Sequence, residues 1–218
     1  METARTVKAV FWDFGGVVLS SPFDAFREYE GTRGLPQDFI RSVNAHNADD
    51  NAWAKLERND VEIPAFCRLF EQESEALGHA IPGEDVLELL SGSVRPEMVR
   101  AIEGLKPKYK LACLTNNVLK GEGPGMASNP EKAKQVAYIM TLFDAVVESS
   151  KVGVRKPEPR FYEIACEMVD VEPTSVVFLD DLGVNLKPAR TMGMRTIKVT
   201  SAEQALSDLE QVLGHPLA

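Results

Sequence analysis

Five short apolar runs, each ending in a polar or glycine position, constrain the fold of this chain most. They are Val7–Phe14, Lys110–Leu114, Ala145–Val147, Ser175–Leu179 and Thr196–Val199, rich in β-branched or aromatic residues. Runs such as Val176-Val177-Phe178-Leu179 carry no polar alternation, as expected of strands covered on both faces of a parallel sheet. The stretches between them have helical spacing. Phe161, Ile164, Ala165 and Met168 fall at i, i+3, i+4 and i+7 behind Pro159, a residue suited to a first helical turn. Ala202, Ala205, Leu206, Leu209, Val212 and Leu213 repeat the pattern up to Gly214 and Pro216. Alternating strands and helices predict an open, doubly wound α/β sheet.

Residues 18–92 break the alternation. They read as helices over Pro36–Ala45, Pro64–Leu77 (Phe66, Leu69, Phe70 and Leu77 on one stripe) and Glu84–Leu90, with Gly78 closing the second. The expected division is a core of residues 1–17 and 93–218 and a helical insert of residues 18–92. An insert at that point would cover the carboxyl edge of the sheet, where ligands of such folds bind. Lys120–Pro130, rich in Gly, Pro, Ser and Asn, reads as a mobile loop.

Composition narrows the function. Lys and Arg number 24 against 33 Asp and Glu, a net charge of −9, which argues against a phosphate-backbone grip on nucleic acid and against an anionic lipid surface. No apolar run reaches the roughly 20 residues needed to span a bilayer. Met1–Lys8 lacks the apolar stretch of a signal peptide, so a cytoplasmic protein is expected. Cys67, Cys113 and Cys166 are odd in number and widely spaced, which suits reduced thiols rather than a disulfide framework or zinc site. Trp12 and Trp53 read as packing residues, the cap histidines His46 and His79 as solvent-facing, and Glu71–Glu75 as a solvated helix face.

The chemistry gathers at strand ends. The first ends Trp12-Asp13-Phe14-Gly15-Gly16, the second Leu114-Thr115-Asn116-Asn117, and the fourth Leu179-Asp180-Asp181. Gly153-Val154-Arg155-Lys156-Pro157 follows the third. In an open parallel sheet all four termini meet one crevice. Carboxylates converging there repel one another unless a cation compensates. An all-oxygen set suits Mg²⁺ and argues against zinc. Asp13 then serves as ligand and as nucleophile toward phosphorus, while Thr115 and Lys156 hold non-bridging oxygens.

These motifs resemble those of the haloacid dehalogenase superfamily. Val177–Arg190 and Val152–Pro159 are similar to the subgroup that includes the N-terminal phosphatase domain of soluble epoxide hydrolase. The resemblance implies a Rossmann-like core, a helical cap after strand one, and Mg²⁺-dependent hydrolysis of a small phosphorylated metabolite. It implies Asp13 as nucleophile, Thr115 and Lys156 as phosphate binders, and Asp13, the Gly15 carbonyl, Asp180 and Asp181 around the metal. It implies substrate or loop contacts for Gly16, Asn116 and Asn185. Epoxide hydrolysis is not expected, because in the bifunctional relative it belongs to a separate domain. Oligomeric state is left open.

One departure stands out. Phosphatases of that superfamily carry a second Asp two residues after the nucleophile as general acid and base; here that residue is Gly15. General acid–base catalysis supplies about 10²–10⁴-fold, or about 3–5 kcal/mol. Its loss predicts a phosphatase that favours good leaving groups. Two alternatives remain at this stage: a catalytically weak phosphometabolite-binding or regulatory module, and a haloacid dehalogenase, which the doubled Asp180-Asp181 disfavours.

Overall fold

The computed structural model describes residues 6–90, 92–117 and 130–217. The Lys120–Asn129 part of the expected loop lies outside them. Five parallel strands, β1 (Ala9–Trp12), β2 (Lys110–Thr115), β3 (Ala145–Glu148), β4 (Val176–Asp180) and β5 (Arg195–Lys198), form one sheet in the order β3-β2-β1-β4-β5. The chain builds outward from β1 to β3, then crosses back to start again on the other side of β1. The order therefore reverses between β1 and β4, where such sheets open a ligand crevice.

Residue parity sorts the core. Val10, Trp12, Leu111, Cys113, Val177 and Leu179 face one side of the sheet, packed against Met98 and Ile102 of α6 (Pro96–Leu105), Val136 and Ile139 of α7 (Pro130–Met140) and Leu209 of α11 (Ala202–Leu213). Phe11, Ala112, Leu114, Val147 and Phe178 face the other, against α9 (Pro159–Val169) and α10 (Gly183–Thr191). This explains the absence of polar alternation: both faces are covered.

The buried stripe of α9 differs from the expected one. Phe161, Tyr162, Ala165, Cys166 and Val169 are buried, while Met168 is 53% exposed. At 100° per residue the buried arc is centred between Phe161 and Cys166, and Met168 falls outside it.

Between β1 and α6 lie five helices: α1 (Pro22–Arg33), α2 (Phe39–Ala45), α3 (Ala52–Glu57), α4 (Ile63–Ala76) and α5 (Gly83–Glu88). They share their own core of Phe26, Ile40, Trp53, Phe66, Phe70 and Val86. Helices α1 and α3 were not evident from periodicity. α1 has a poorly segregated apolar face and is nucleated locally, by Pro22 at its start and the Ser21 hydroxyl on the Phe23 amide at 3.4 Å. α3 is six residues long, capped by Asn51 Oδ1 on the Ala54 amide at 2.9 Å. The Glu71–Glu75 face is not wholly solvated: Ser74 is buried, its hydroxyl accepting from the Ile81 amide, and Glu73 accepts from the Ala52 amide at 2.8 Å. Leu77 ends the helix 39% exposed, off the stripe. His79 packs edge-on to Phe39, with ring centroids 5.1 Å apart.

The two chain segments joining the insert to the sheet run side by side. Leu19 and Val94 form an antiparallel bridge, the Ser20 amide donates to the Ser93 carbonyl, and the Arg95 amide to the Val18 carbonyl. Among the described residues no helix is long and apolar enough to cross a membrane.

Phe66 is completely buried and its ring centroid lies 4.8 Å from that of Trp53. Phe66→Ala is expected to cost about 3–5 kcal/mol, read as a lower urea midpoint, with the Trp fluorescence change marking the insert.

Candidate active site

Asp13 follows the last residue of β1. Its amide donates to the Leu179 carbonyl of β4 at 2.9 Å, which seats it on the β1/β4 switch point. The chain then makes one wide turn over Phe14–Val18, closed by the Leu19 amide on the Phe14 carbonyl at 2.8 Å. Asp13 Oδ1 accepts from the Phe14 amide at 2.7 Å. That turn needs Gly16, whose φ of +80° lies in the left-handed region. A Cβ on Gly16 would fall 2.2 Å from Asp181 Oδ2, so the bare glycine lets the Asp181 carboxylate lie against the backbone. Gly15 is the opposite case. Its φ of −70° suits any residue, and no atom of a described residue lies within 4 Å of a Cβ there.

Lys156 reaches into this turn from the segment after β3. It is 1% exposed, and its Nζ lies 2.7 Å from Asp13 Oδ1 and 2.8 Å from Asp180 Oδ2. Asp180, fully buried at the end of β4, also accepts at Oδ1 from the Leu182 amide at 2.8 Å. Ligand oxygens of Asp13, Asp180 and Asp181 lie within 4.8 Å of one another. Thr115, 3% exposed, ends β2 beside them. Side chains from the ends of β1 and β4 and from the segment after β3 thus meet at one edge of the sheet, with Thr115 at the end of the neighbouring β2.

Two expected substrate contacts are engaged elsewhere. Asn185 spends its side-chain amide on Asp180, with Nδ2 at 3.0 and 3.1 Å from the two carboxylate oxygens, and its backbone carbonyl accepts from the Tyr162 hydroxyl at 2.6 Å. Asn116 holds the Lys156 backbone, accepting from its amide at 2.9 Å and donating to its carbonyl at 3.0 Å. Both amides hold charged residues of the site in place. Sequence reasoning passed over Arg95, whose Nη1 donates to the Gly16 carbonyl at 3.0 Å and braces the turn. It also passed over Glu57, which donates no motif of its own and acts from α3 on Asn116 and Arg155.

Burial pushes the Asp13 carboxyl well above the ordinary carboxylate range; Lys156 opposes this, while Asp180 and Asp181 add to it. Burial, then the Asp180 charge, raises Asp181 to about 6. Burial would lower the Lys156 ammonium, but Asp13 and Asp180 more than reverse it, so Lys156 stays charged. Three carboxylates thus face one ammonium in a dry setting. The donor set is all oxygen and short of positive charge, which fits a hard divalent cation.

Fold and strand-end cluster together define an open-sheet α/β protein with a buried lysine set among three carboxylates at the edge of its sheet. The chain belongs to the haloacid dehalogenase-like hydrolase family, whose pattern matches residues 7–193. It is 31% identical over 219 residues to bifunctional epoxide hydrolase 2 of Mus musculus, covering 95% of this chain and 39% of that protein. Phosphatase MT3486 of Mycobacterium tuberculosis is 29% identical, with 91% of this chain and 90% of that one covered. The chain spans 39% of the length of that epoxide hydrolase and 20% of that of acyl-CoA dehydrogenase family member 10 of Mus musculus, to which it is 32% identical over 98% of this chain. In fold it is similar to the enzyme bt-2542 of Bacteroides thetaiotaomicron, solved in complex with magnesium and inorganic phosphate, with a TM-score of 0.61 at 17% identity, 93% of this chain and 98% of that one being covered.

The two glycines give a paired prediction. Gly15→Ala should leave stability unchanged or raise it by about 0.4–1 kcal/mol, by restricting the unfolded chain. Gly16→Ala should lower it by about 1–3 kcal/mol through the positive φ, with the Asp181 contact adding to the loss. Thermal denaturation of both variants checks the contrast, and equal melting temperatures would refute it.

Proposed function

We propose that this hydrolase is a Mg²⁺-dependent phosphatase that cleaves a small phosphate monoester through an aspartyl-phosphate on Asp13. The observation that carries the reading is the Lys156 ammonium bridging Asp13 and Asp180 with Asp181 alongside. A haloacid dehalogenase has no use for that surplus of carboxylates.

Asp13, Asp180, Asp181 and the Gly15 carbonyl would hold the cation, which when bound neutralises charge on the carboxylates and the phosphoryl oxygens. Among the described residues Asp13 Oδ1 carries the Phe14 amide and Lys156, so Oδ2 is the oxygen placed to attack phosphorus. As the Oδ2–P bond forms, the ester P–O bond breaks and the leaving oxygen departs with the electron pair. Thr115 and Lys156 stabilise the non-bridging oxygens as charge shifts among them. Water then attacks the acyl phosphate, releasing inorganic phosphate and the Asp13 carboxylate. Buried Asp180, held by Asn185 and the Leu182 amide, keeps the ammonium and the crevice in register. The helical insert of residues 18–92 would act as the cap that selects the substrate.

p-Nitrophenyl phosphate hydrolysis with and without Mg²⁺ tests this. Wild-type turnover should require the cation, and Asp13→Asn should lose it by at least about 10³-fold. Cation binding without turnover of any phosphoester or acyl phosphate would point instead to a binding module.

Gly15 sets the second expectation. Without a carboxyl there, aryl, acyl and sugar-1-phosphates should be cleaved far faster than alkyl phosphates, with a steep dependence on leaving-group pKa. The open space beside Gly15 admits a side chain, so Gly15→Asp should raise alkyl phosphate turnover by up to about 10²-fold and flatten that dependence. Comparable wild-type turnover of alkyl and aryl esters would sink the idea.

A further inference from the structure

Polar contacts from the insert reach the core beside the site, and two of them meet on one carboxylate. Glu57 ends α3, and its Oε2 accepts from Asn116 Nδ2 at 3.1 Å and lies 2.5 Å from Arg155 Nε. The Arg155 contact is one of charge, since that Nε–H is not aligned as a hydrogen bond. Around it, Arg155 Nη1 donates to the Ala48 carbonyl at 3.0 Å, and Arg58 lies 3.5 Å from Glu158. The side chains of Glu57 and Arg155 are only 15% and 16% exposed, so their attraction is screened less than that of a surface pair.

What Glu57 touches gives it reach. Asn116 brackets the Lys156 backbone from both sides, and Arg155 is the residue before it. A carboxylate borne by the insert therefore holds the two core groups that fix where Lys156 leaves the backbone. Lys156 in turn places its ammonium between Asp13 and Asp180. We propose that Glu57 is a positioning residue: by pairing with Asn116 and Arg155 it makes the placement of Lys156 depend on the insert being docked. Docking then does more than cover the crevice. It completes the charge arrangement, so the Asp13 nucleophile is fully set only when the insert is in place.

The kinetic half of the test rests on the phosphatase reading; the first half does not. Hydrogen exchange of the Lys156 amide, which Asn116 protects, should accelerate about tenfold or more in Glu57→Ala. Amides of β1 and of Phe66–Phe70 in α4 should keep their wild-type rates. Glu57→Gln, which keeps an acceptor for Asn116 but gives up the charge facing Arg155, should fall between the two. Unchanged exchange at Lys156, or acceleration spread evenly over β1 and α4, overturns the proposal whatever the activity. With p-nitrophenyl phosphate, Glu57→Ala should lower kcat by about 10–100-fold with KM within twofold, as expected when a charged group is misplaced by a fraction of an ångström to an ångström. A change confined to KM overturns it as well. Absence of wild-type turnover would count against the phosphatase reading alone, leaving the exchange result to decide the role of Glu57.

Discussion

A lysine ammonium with 1% exposure, held between Asp13 and Asp180, is the contact on which this structure turns. A buried ammonium alone would cost several kcal/mol, so Lys156 can stay charged only if both carboxylates stay beside it. Those carboxylates stand at the ends of adjacent parallel strands whose order reverses there. The fold thus supplies what the charge requires: two side chains from separate parts of the sequence, a strand spacing apart. Removing Lys156 would leave buried carboxylates uncompensated in a dry setting, and the site is committed to that pairing.

The same contact explains why so many polar groups nearby face each other instead of a ligand. Asp180 accepts from the Leu182 amide, from Asn185 and from Lys156. Asn185 is itself anchored through its carbonyl by Tyr162. Every donor spent there narrows the freedom of Asp180, and through it of Lys156. Such preorganisation costs stability where it is built, since charges are buried, and on the proposed phosphatase reading it would lower the barrier when charge develops on a bound phosphoryl group. The raised Asp13 and Asp181 carboxyls express the other side of this design. Burial and mutual repulsion leave them with a demand for positive charge that one lysine does not meet.

Much of this was legible in the chain itself. Apolar runs without alternation read as strands covered on both faces, and polar residues at their ends meet at one edge of a parallel sheet, so the sequence alone points Asp13, Thr115, Lys156, Asp180 and Asp181 to that edge. The limits are equally physical. Periodicity cannot see α1, whose apolar face is weak, nor α3, which is six residues long and held by the Asn51 cap. It also cannot name the partners of a side chain: Asn116 and Asn185 stand at the expected positions, and only the structure shows their amides on Lys156 and Asp180. Glu57 and Arg95 lie in no motif. Their parts follow from where the insert folds back, a long-range fact that local sequence does not encode.

Gly15 shows how far these constraints act separately. The turn after Asp13 needs a glycine at Gly16, because φ is positive there and the Asp181 carboxylate occupies the place of a side chain. Nothing comparable holds at Gly15, where backbone angles suit any residue and the space beside it is open. Steric demand therefore does not account for that glycine. What it removes is a carboxylate from a crevice that already gathers three. A fourth acidic group would push the Asp13 and Asp181 carboxyls still higher and deepen the shortage of positive charge. On the proposed phosphatase reading, absence of the side chain would trade proton donation for an Asp13 carboxylate more readily kept ionised, a balance that suits esters whose leaving groups need no proton.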